Sequence, residues 1–376
     1  MFRPPEAEPI VHPVERYDAA IVGGGIIGLA SAWRAMQRGL RVCVLERETA
    51  GCGATRAAAG VLAPDPETAG FTALARRSAG LWPAFAHELH ESTGVDPGYT
   101  RCGSLVLAFG DSRPGGQTRR NDMLPRPTPG CFWEGPSAPE GEWLEAHELH
   151  ALEPGLAADC RGAALLAEDA QVDPRRAVEA LCALLGDAVR THTDVVELDP
   201  NGVVLADGSR IEAERVVLAA GAWTARRLAK RLPIVPVKGQ TLRLHGPLPA
   251  TRIIRSEHVY VVPRASGETV IGATIEDSGF DTTVTDEATQ TLLRQAIRAV
   301  PAVAGLELVE AVASLRPATP DDGPLIGEWE GLLVAGGHYR NGILLAPVTA
   351  DAVAALLAGD EPPAETAPFD PRRFEV

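Results

Sequence analysis

Lysine is almost absent from this sequence, whose 35 basic residues are 33 arginines and only two lysines, Lys230 and Lys238. The 50 acidic residues outnumber them and give a formal net charge of −15 at pH 7. A surface with this charge repels phosphate backbones and anionic headgroups, which argues against nucleic acid or an anionic membrane as the main partner. A local anion site stays compatible with it, because helix ends and single arginines act at short range.

Several targeting and metal-binding patterns are also missing. The six cysteines form no CxxC pair and no His/Cys metal spacing, so we expect reduced thiols and no metal site. No run of 18 uncharged apolar residues occurs, so we expect no membrane span. The Pro-rich residues 1–16 lack a signal-peptide pattern. We therefore expect a loose N-terminal extension and a cytoplasmic location.

Residues 18–48 have the pattern of a strand, a glycine turn, a helix and a second strand. The turn, "GGGIIG" from Gly23 to Gly28, fits GxGxxG. Glycines permit a tight turn and let the backbone approach a pyrophosphate, whose charge the helix N-terminus stabilises. Glu46 ends the second strand, where a carboxylate accepts hydrogen bonds from ribose hydroxyls. The pattern predicts a dinucleotide site; the alternative is a glycine turn in a purely structural βαβ unit.

This fingerprint leaves NAD and FAD open, but two further stretches favour FAD. "GCGATRAAAGVLAP" at 51–64 strings small residues directly after the ribose acid, which allows an extended backbone to run along a large flat ring. "LAAGAWT" at 218–224 returns Gly221 to the same sheet edge and gives a second close approach. Alanine-rich filler is the competing interpretation of both stretches.

A third signal lies near the C-terminus, where "GGHYRNG" at 336–342 directly precedes an apolar helix. A helix N-terminus carries partial positive charge, so Arg340 is misplaced there unless it faces an anion. The unpaired amides of the first helical turn need an acceptor as well. The sequence therefore predicts a negative group at this helix end.

The remaining chain alternates two kinds of segment. Predicted helices cover 143–154, 173–187 and 285–300, and residues 234–316 otherwise hold β-rich runs separated by turn residues. Residues 110–141 contain six prolines and six glycines and have the composition of a long loop.

We expect an α/β fold with a discontinuous, doubly wound FAD-binding domain and an inserted, mainly antiparallel α+β substrate domain. The expected ranges are 17–92, 160–233 and 317–376 for the FAD-binding domain, 93–159 and 234–316 for the substrate domain, and 1–16 for the extension.

At this point the sequence resembles a known family. The glycine fingerprint, "ATRAAAG", "PVKGQ", "VYVVPR", "IGAT", "LRPATPDDGPLIG" and "GHYRNGILLAP" are similar to motifs of the FAD-dependent D-amino-acid and sarcosine oxidase superfamily, and within it to the glycine oxidases of thiamine biosynthesis. The resemblance runs from Tyr17 to about Leu357. It implies a glutathione-reductase-like FAD-binding domain.

The resemblance also implies roles for individual residues. Arg316 pairs with a substrate carboxylate, Arg340 lies near it, and Tyr260 reaches the same group. Period-two alternation places His258 on the same strand face as Tyr260 and makes it a further pocket residue. The expected cofactor-binding residues are Gly23, Gly25, Ile26, Ile27, Gly28, Glu46, Arg47, Ala54, Thr55, Ala59, Gly60, Val61, Val195, Gly221, His338, Tyr339, Arg340, Asn341, Gly342, Ile343 and Leu344.

The implied activity is oxidation of glycine or another small amino acid to the imine, with glyoxylate, ammonia and hydrogen peroxide as products. We expect non-covalent FAD, molecular oxygen as acceptor, a homo-oligomer and a thiazole synthase as partner. The alternatives are a sarcosine or D-amino-acid oxidase, a dehydrogenase that reduces quinone, and a flavin-binding redox protein without turnover. Arg56, Val61 and Ile275 depart from the family pattern in the predicted pocket wall, which leaves the preferred amine open.

Overall fold

The computed structural model describes residues 15–64, 70–109 and 141–375. These ranges contain 18 strands, in two eight-stranded sheets and one two-stranded sheet, and seven α-helices. The helices are α1 (Ile26–Gln37), α2 (Ala54–Ala57), α3 (Phe71–Thr93), α4 (Ala146–Leu152), α5 (Pro174–Leu185), α6 (Asp286–Ala299) and α7 (Gly342–Ala358). The strands are β1 (Glu15–Val22), β2 (Val42–Leu45), β3 (Val61–Leu62), β4 (Ser104–Phe109), β5 (Glu142–Glu145), β6 (Cys160–Leu166), β7 (Ala170–Gln171), β8 (Val189–Arg190), β9 (Val195–Asp199), β10 (Gly202–Leu205), β11 (Arg210–Leu218), β12 (Val235–His245), β13 (Ile253–Arg255), β14 (Tyr260–Pro263), β15 (Glu268–Gly272), β16 (Glu307–Ala318), β17 (Leu325–Trp329) and β18 (Leu332–Gly336).

The first large sheet has the order β17-β18-β11-β1-β2-β8, and β10 and β9 branch from β11. Its central pairs, from β18 to β8, are parallel. Both faces of β1 are buried, because Ile21 packs into the core that holds α1, α3, α5 and α7 while Ala20 and Val22 pack into a second core. This explains the uninterrupted apolar run that precedes the glycine turn. The parallel sheet confirms the expected doubly wound α/β class.

The second large sheet has the order β16-β12-β15-β14-β13-β4-β6-β5 and is antiparallel except for the β13–β4 pair. Alternate residues of its strands lie on opposite faces. Ile254, Val261 and Ile271 pack with α6 in one core. Ile253, Tyr260 and Val270 lie in another cluster with Ala59. The sheet therefore has one face against α6 and the other face toward the segment that follows α2.

Some predicted boundaries differ from the structure. The predicted helix at 143–154 begins only at Ala146, because Glu142–Glu145 forms β5 at the edge of the second sheet. β6 also pairs within this sheet, although residue 160 was the predicted start of a segment of the FAD-binding domain. β1 begins at Glu15, two residues inside the predicted extension. The rest of that extension and the Pro/Gly-rich segment, except Gly141, lie outside the described residues. The two-domain division itself stays a prediction.

Candidate active site

A cavity of about 490 Å³ lies between the two large sheets. On the side of the first sheet, its wall includes the glycine turn, the end of β2, residues 51–55, residues 57–61 and residues 219–223. Strands β12, β14 and β16 and the segment before α7 supply the other half. Cavities of this size in proteins commonly bind small molecules and cofactors. The site therefore joins the nucleotide fingerprint to the β-rich segment.

The glycine turn is packed too tightly for side chains at two of its positions. A Cβ at Gly23 would lie 2.4 Å from the carbonyl oxygen of Ala219, and one at Gly28 would lie 2.0 Å from the carbonyl oxygen of Gly23. Glu46 lies opposite the turn and accepts a hydrogen bond from the Gly24 amide at 2.7 Å. The turn thus brings β1, α1 and the acidic end of β2 together at one end of the cavity.

The second sheet holds the segment that follows α2 by its carbonyl groups. The Thr241 hydroxyl donates to the Ala57 carbonyl at 2.9 Å, and the Arg264 guanidinium donates to the Ala59 carbonyl at 2.8 Å. Gly60 is confined as well, because a Cβ there would lie 1.9 Å from the Val172 carbonyl oxygen. These contacts fix residues 57–61 as an extended wall of the cavity.

Helix α7 begins at the cavity and is anchored there by α3. Pro347 has no N–H to donate to the Ile343 carbonyl, four residues earlier in the helix. The indole nitrogen of Trp82 lies 3.2 Å from that carbonyl oxygen and 3.0 Å from the Leu344 carbonyl oxygen. Ser78 also donates to the Leu344 carbonyl, at 2.6 Å. The first turn is therefore held in place although its own hydrogen bonds are interrupted.

Two polar side chains beside the start of α7 line the cavity. Within the described part of the chain, the side-chain nitrogen of Asn341 is buried and has no hydrogen-bond partner. His338 is buried and its Nε2 lies 3.0 Å from the Thr349 hydroxyl. Burial lowers the pKa of His338 to about 3, so its imidazole is neutral at physiological pH. This end of the cavity thus combines helix amides with an amide group that has donors to spare.

Arg316 enters the cavity from β16, and its guanidinium lies above Gly239 of the neighbouring strand β12. A Cβ at Gly239 would lie only 2.3 Å from the guanidinium carbon. The guanidinium donates to the Thr274 carbonyl at 3.0 Å and to the Lys238 carbonyl at 3.3 Å. Burial lowers the pKa of Arg316, with nearby Arg340 acting in the same direction. A buried guanidinium with a second arginine nearby favours the binding of an anion.

The Tyr260 side chain, like that of Arg316, lies in space that a strand glycine leaves open. A Cβ at Gly272, its cross-strand partner, would lie 2.4 Å from the phenol oxygen. Burial raises the pKa of Tyr260, and nearby Arg316 opposes this shift. The phenol therefore stays protonated and is a hydrogen-bond donor in the region of the guanidinium.

Most of the predicted site residues line this one cavity. Gly28 and Leu344 do not: Gly28 packs under the turn, and Leu344 is buried in α7 against α3. His258 is also outside the cavity wall, because it lies in the turn before β14, with a side chain 44% exposed and 3.9 Å from the Glu257 carboxylate. The predicted alternation failed here, since the strand begins only at Tyr260. We therefore remove His258 from the proposed pocket. The predicted residues found in the cavity wall are Gly23, Gly25, Ile26, Ile27, Glu46, Arg47, Ala54, Thr55, Ala59, Gly60, Val61, Val195, Gly221, Tyr260, Arg316, His338, Tyr339, Arg340, Asn341, Gly342 and Ile343.

Sequence analysis missed three features of this site. Gly239 lies beneath the Arg316 guanidinium and Gly272 beneath the Tyr260 phenol; each interrupts a strand pattern, and an isolated strand glycine often marks the close approach of another group. Arg255 is buried and lines the cavity at the end of β13. The sequence pattern that could have predicted this position is an arginine at the end of a short apolar run, "IIR", just as Arg316 ends "ASLR".

Comparison with known proteins identifies the family. A family model described as FAD dependent oxidoreductase matches residues 18–356. The chain belongs to this FAD-dependent oxidoreductase family. Among the described residues, no group of His, Cys, Asp and Glu is arranged to hold a metal ion, and no helix is both long and apolar enough to cross a bilayer.

Several members of the family are similar over most of this chain. A glycine oxidase of Geobacillus kaustophilus is 37% identical over 372 residues, which cover 94% of this chain and 96% of that protein. A crystal structure of glycine oxidase from the same organism has a TM-score of 0.83 at 32% identity and covers 96% of this chain and 100% of that one. The bifunctional protein ThiO/ThiG of Trichormus variabilis is 38% identical over 90% of this chain, but this chain spans only 52% of that protein.

The cavity fits the FAD that defines the family. Gly221 has a φ of +56°, and a Cβ there would find no described atom within 4 Å, so the backbone leaves room for a ligand. The buried Asn341 amide has donors to offer. Neither N-cap residue, Gly25 of α1 or Asn341 of α7, makes a capping hydrogen bond with its side chain, and at α1 the Thr55 hydroxyl accepts from the Ile26 amide at 3.2 Å. Helix N-termini of this kind favour the negative pyrophosphate and an electron-rich ring edge.

Proposed function

We propose that this chain is a glycine oxidase, which oxidises glycine to the imine and releases glyoxylate, ammonia and hydrogen peroxide. The observation that carries the proposal is the clamp formed by Arg316 and Tyr260, each side chain lying in space left by a strand glycine. The relatives that are similar over nearly the whole chain include glycine oxidases. Bound FAD would supply the two-electron oxidant and return the electrons to oxygen.

The proposed task of Arg316 is to bind the substrate carboxylate. Its orientation is fixed by the carbonyls of Lys238 and Thr274, so the guanidinium fork is already positioned before substrate arrives. Tyr260 adds a protonated phenol, since burial raises its pKa. Two fixed donors hold the amino-acid backbone in one orientation, and such positioning lowers the barrier without a dedicated base.

Arg340 and the first turn of α7 form the opposite part of the proposed site. Arg340 is half-buried beside Tyr339, and its charge lowers the pKa of Arg316. Two neighbouring cations are favourable when an anion lies between them or beside them. The start of α7 would face the part of FAD that becomes negative on reduction. An anion bound beside Arg340 would explain why an arginine precedes the N-terminus of α7.

We propose further that FAD binds non-covalently. Among the described cavity-wall residues the one cysteine is Cys52, whose thiol lies 3.8 Å from the Glu48 carboxylate at the nucleotide end. Flavin that is released from acid-precipitated protein would support this, and flavin that stays with the precipitate would contradict it.

The product suggests a partner. Because some relatives are bifunctional ThiO/ThiG proteins, we propose that the imine or glyoxylate serves a thiazole synthase in thiamine biosynthesis. Cytoplasmic location and a homo-oligomeric state stay predictions from the sequence.

The experiment that tests this function measures hydrogen peroxide formation with glycine, sarcosine and D-alanine. We expect glycine to give the highest kcat/KM, and Arg316→Met to lower it at least 100-fold, because two charge-assisted hydrogen bonds of about 1.5–3 kcal/mol each are lost. Arg294→Met is the matched control, since Arg294 is an exposed arginine on α6.

Other outcomes would redirect the proposal. A preference for sarcosine or D-alanine would indicate a neighbouring oxidase. Flavin reduced by an amine without peroxide would indicate a dehydrogenase. Flavin that no amine reduces would indicate a redox protein without turnover. An Arg316→Met protein with unchanged kcat/KM would contradict the clamp.

A further inference from the structure

The segment that follows β15 stays beside β12 and supplies one of the two carbonyls that hold Arg316. Lys238 of β12 and Glu276 of this segment exchange both of their backbone hydrogen bonds, each at 3.0 Å. Arg316 comes from β16, on the other side of β12, and its guanidinium lies above Gly239 and donates to the Thr274 carbonyl. The place of the guanidinium therefore depends on how the segment is held against β12.

The side chains that hold this segment lie on the face of β12 that points away from Arg316. Gly239 lies on the cavity face beneath the guanidinium, so its neighbours in β12, Lys238 and Gln240, project from the reverse face. Glu276 projects from the reverse face as well, because it is paired directly with Lys238. The reverse face thus carries a cation, a carboxylate and an amide directly behind the proposed clamp.

The Glu276 carboxylate is the centre of this group. The Gln240 side-chain amide donates to one of its oxygens at 2.9 Å, and the Thr274 hydroxyl donates to the same oxygen. The other oxygen lies 3.4 Å from the Lys238 ammonium. The Thr274 hydroxyl in turn accepts from the Gln240 backbone amide at 2.8 Å. Glu276 therefore holds the residue whose carbonyl accepts from Arg316.

Lys238 brings a buried charge to this group. Its side chain is 2% exposed, and its other carboxylate contact is Asp281, which lies 3.3 Å away and is 54% exposed. The chain has arginine at 33 of its 35 basic positions, so this lysine is an exception. An ammonium is a compact point charge, whereas a guanidinium is a wide planar fork. A buried charge is costly unless it is paired, and here the buried partner group is the one that holds Thr274.

Glu276 also acts on the clamp through its charge. Burial lowers the pKa of Arg316, and the negative charge of Glu276 opposes this shift. Neither Lys238 nor Glu276 belongs to the cavity wall, so any effect on the substrate has to pass through the clamp.

We propose that Lys238 and Glu276 are positioning residues, which hold the Arg316 guanidinium in place for the substrate carboxylate by fixing Thr274 from the reverse face of the sheet. This rests on the proposed glycine oxidase function and adds to its clamp two residues that do not touch the substrate. The clamp then consists of two layers, with the guanidinium on the cavity face and an ion pair behind it.

A double-mutant cycle tests this role, with kcat/KM of the holoenzyme for glycine as the readout. Lys238→Met removes the ammonium and keeps an unbranched side chain. We expect Lys238→Met to lower kcat/KM at least tenfold when Arg316 is present and less than twofold when it is made in Arg316→Met. A residue that only stabilises the fold would lower kcat/KM by the same factor in both backgrounds.

A second variant and a control accompany the cycle. Glu276→Gln keeps the shape of the side chain and removes its charge, and we expect the same non-additivity with Arg316→Met. Asp281→Asn is the matched control, because it removes the exposed carboxylate beside the same ammonium and leaves Glu276 in place. This control should keep kcat/KM within twofold of the wild type. Flavin absorbance and the unfolding temperature report the fold of each holoprotein.

The outcomes separate this inference from the proposed function. Equal factors in the two backgrounds, or a change of less than twofold in either single variant, would overturn the positioning role and leave the oxidase intact. A tenfold drop in Asp281→Asn would assign the effect to the loop around Asp281 and overturn the role of Glu276 as well. A flavin that no amine reduces would overturn the proposed function and this inference together.

Discussion

Replacing Gly239 with alanine tests the geometry of the proposed carboxylate clamp. A Cβ at this position would lie 2.3 Å from the carbon and both terminal nitrogens of the Arg316 guanidinium, far inside van der Waals contact. Gly239 lies in a strand and outside the left-handed region, so alanine fits the backbone there. The group that has to move is the end of a flexible side chain. We therefore expect the fold to survive and the guanidinium to leave its place.

The size of the effect follows from the hydrogen bonds that are lost. A guanidinium that binds a carboxylate with its fork makes two charge-assisted hydrogen bonds, each of about 1.5–3 kcal/mol. Losing both raises the barrier by about 3–6 kcal/mol, which is about a 10²- to 10⁴-fold drop in kcat/KM for glycine. Peroxide formation measures this drop, while flavin absorbance and the unfolding temperature report an unchanged fold.

Gly80→Ala is the matched control for this variant. Gly80 is exposed in α3, and no described atom would lie within 4 Å of its new Cβ. Alanine in a helix stabilises by about 0.5–1 kcal/mol, so this variant should keep full activity. If Gly239→Ala retained kcat/KM within threefold of the wild type, the Arg316 guanidinium above Gly239 would not be the carboxylate clamp.

Three further perturbations have expected outcomes. His338 has a pKa of about 3 in the folded protein, so the unfolded chain binds an extra proton between pH 6.5 and 3, and stability falls as the pH falls through that window. The free energy of unfolding of the holoprotein, measured in urea, should therefore fall by about 1–2 kcal/mol more between pH 6.5 and 5 than that of His338→Asn. Equal losses in the two proteins would contradict the neutral imidazole. Trp82→Phe keeps an aromatic ring but removes the donor to the first turn of α7, so it should cost about 1–2 kcal/mol and reduce flavin retention on gel filtration, whereas unchanged stability would show that this hydrogen bond does not hold the helix. Glu310→Gln removes the carboxylate shared by Arg56 and Arg175, which are partly exposed, so thermal unfolding should report at most about 1 kcal/mol of lost stability, and the loss should shrink in 1 M NaCl.

The parts of the site that local sequence determines were predictable. The glycine turn and Glu46 follow from a βαβ pattern whose period and turn residues are local properties. The start of α7 followed from the apolar run after Asn341, and Arg340 beside that helix N-terminus indicated an anion site. The family follows from motifs that extend over most of the chain, and the matching family model confirms it.

The parts that depend on pairing between distant strands were not predictable. His258 was placed on a strand face by alternation, but strand pairing begins only at Tyr260, because Ser256 and Val259 close a turn before it. Arg255 reaches the cavity through the register of β13 with β14, which no local pattern specifies.

Pairing between distant strands also determines the space above Gly239 and the start of the helix predicted at 143–154. The space above Gly239 exists only because β12 pairs with β16. The predicted helix at 143–154 was shortened because its first residues complete a sheet edge. In each case tertiary pairing outweighed local periodicity.

The central claim is tested most directly by the visible spectrum of the purified protein under anaerobic conditions, before and after glycine is added. The account predicts a flavin spectrum that glycine bleaches in the wild type and that it fails to bleach in Arg316→Met at the same concentration. A flavin spectrum that stays unchanged with glycine in the wild type would contradict the proposed function.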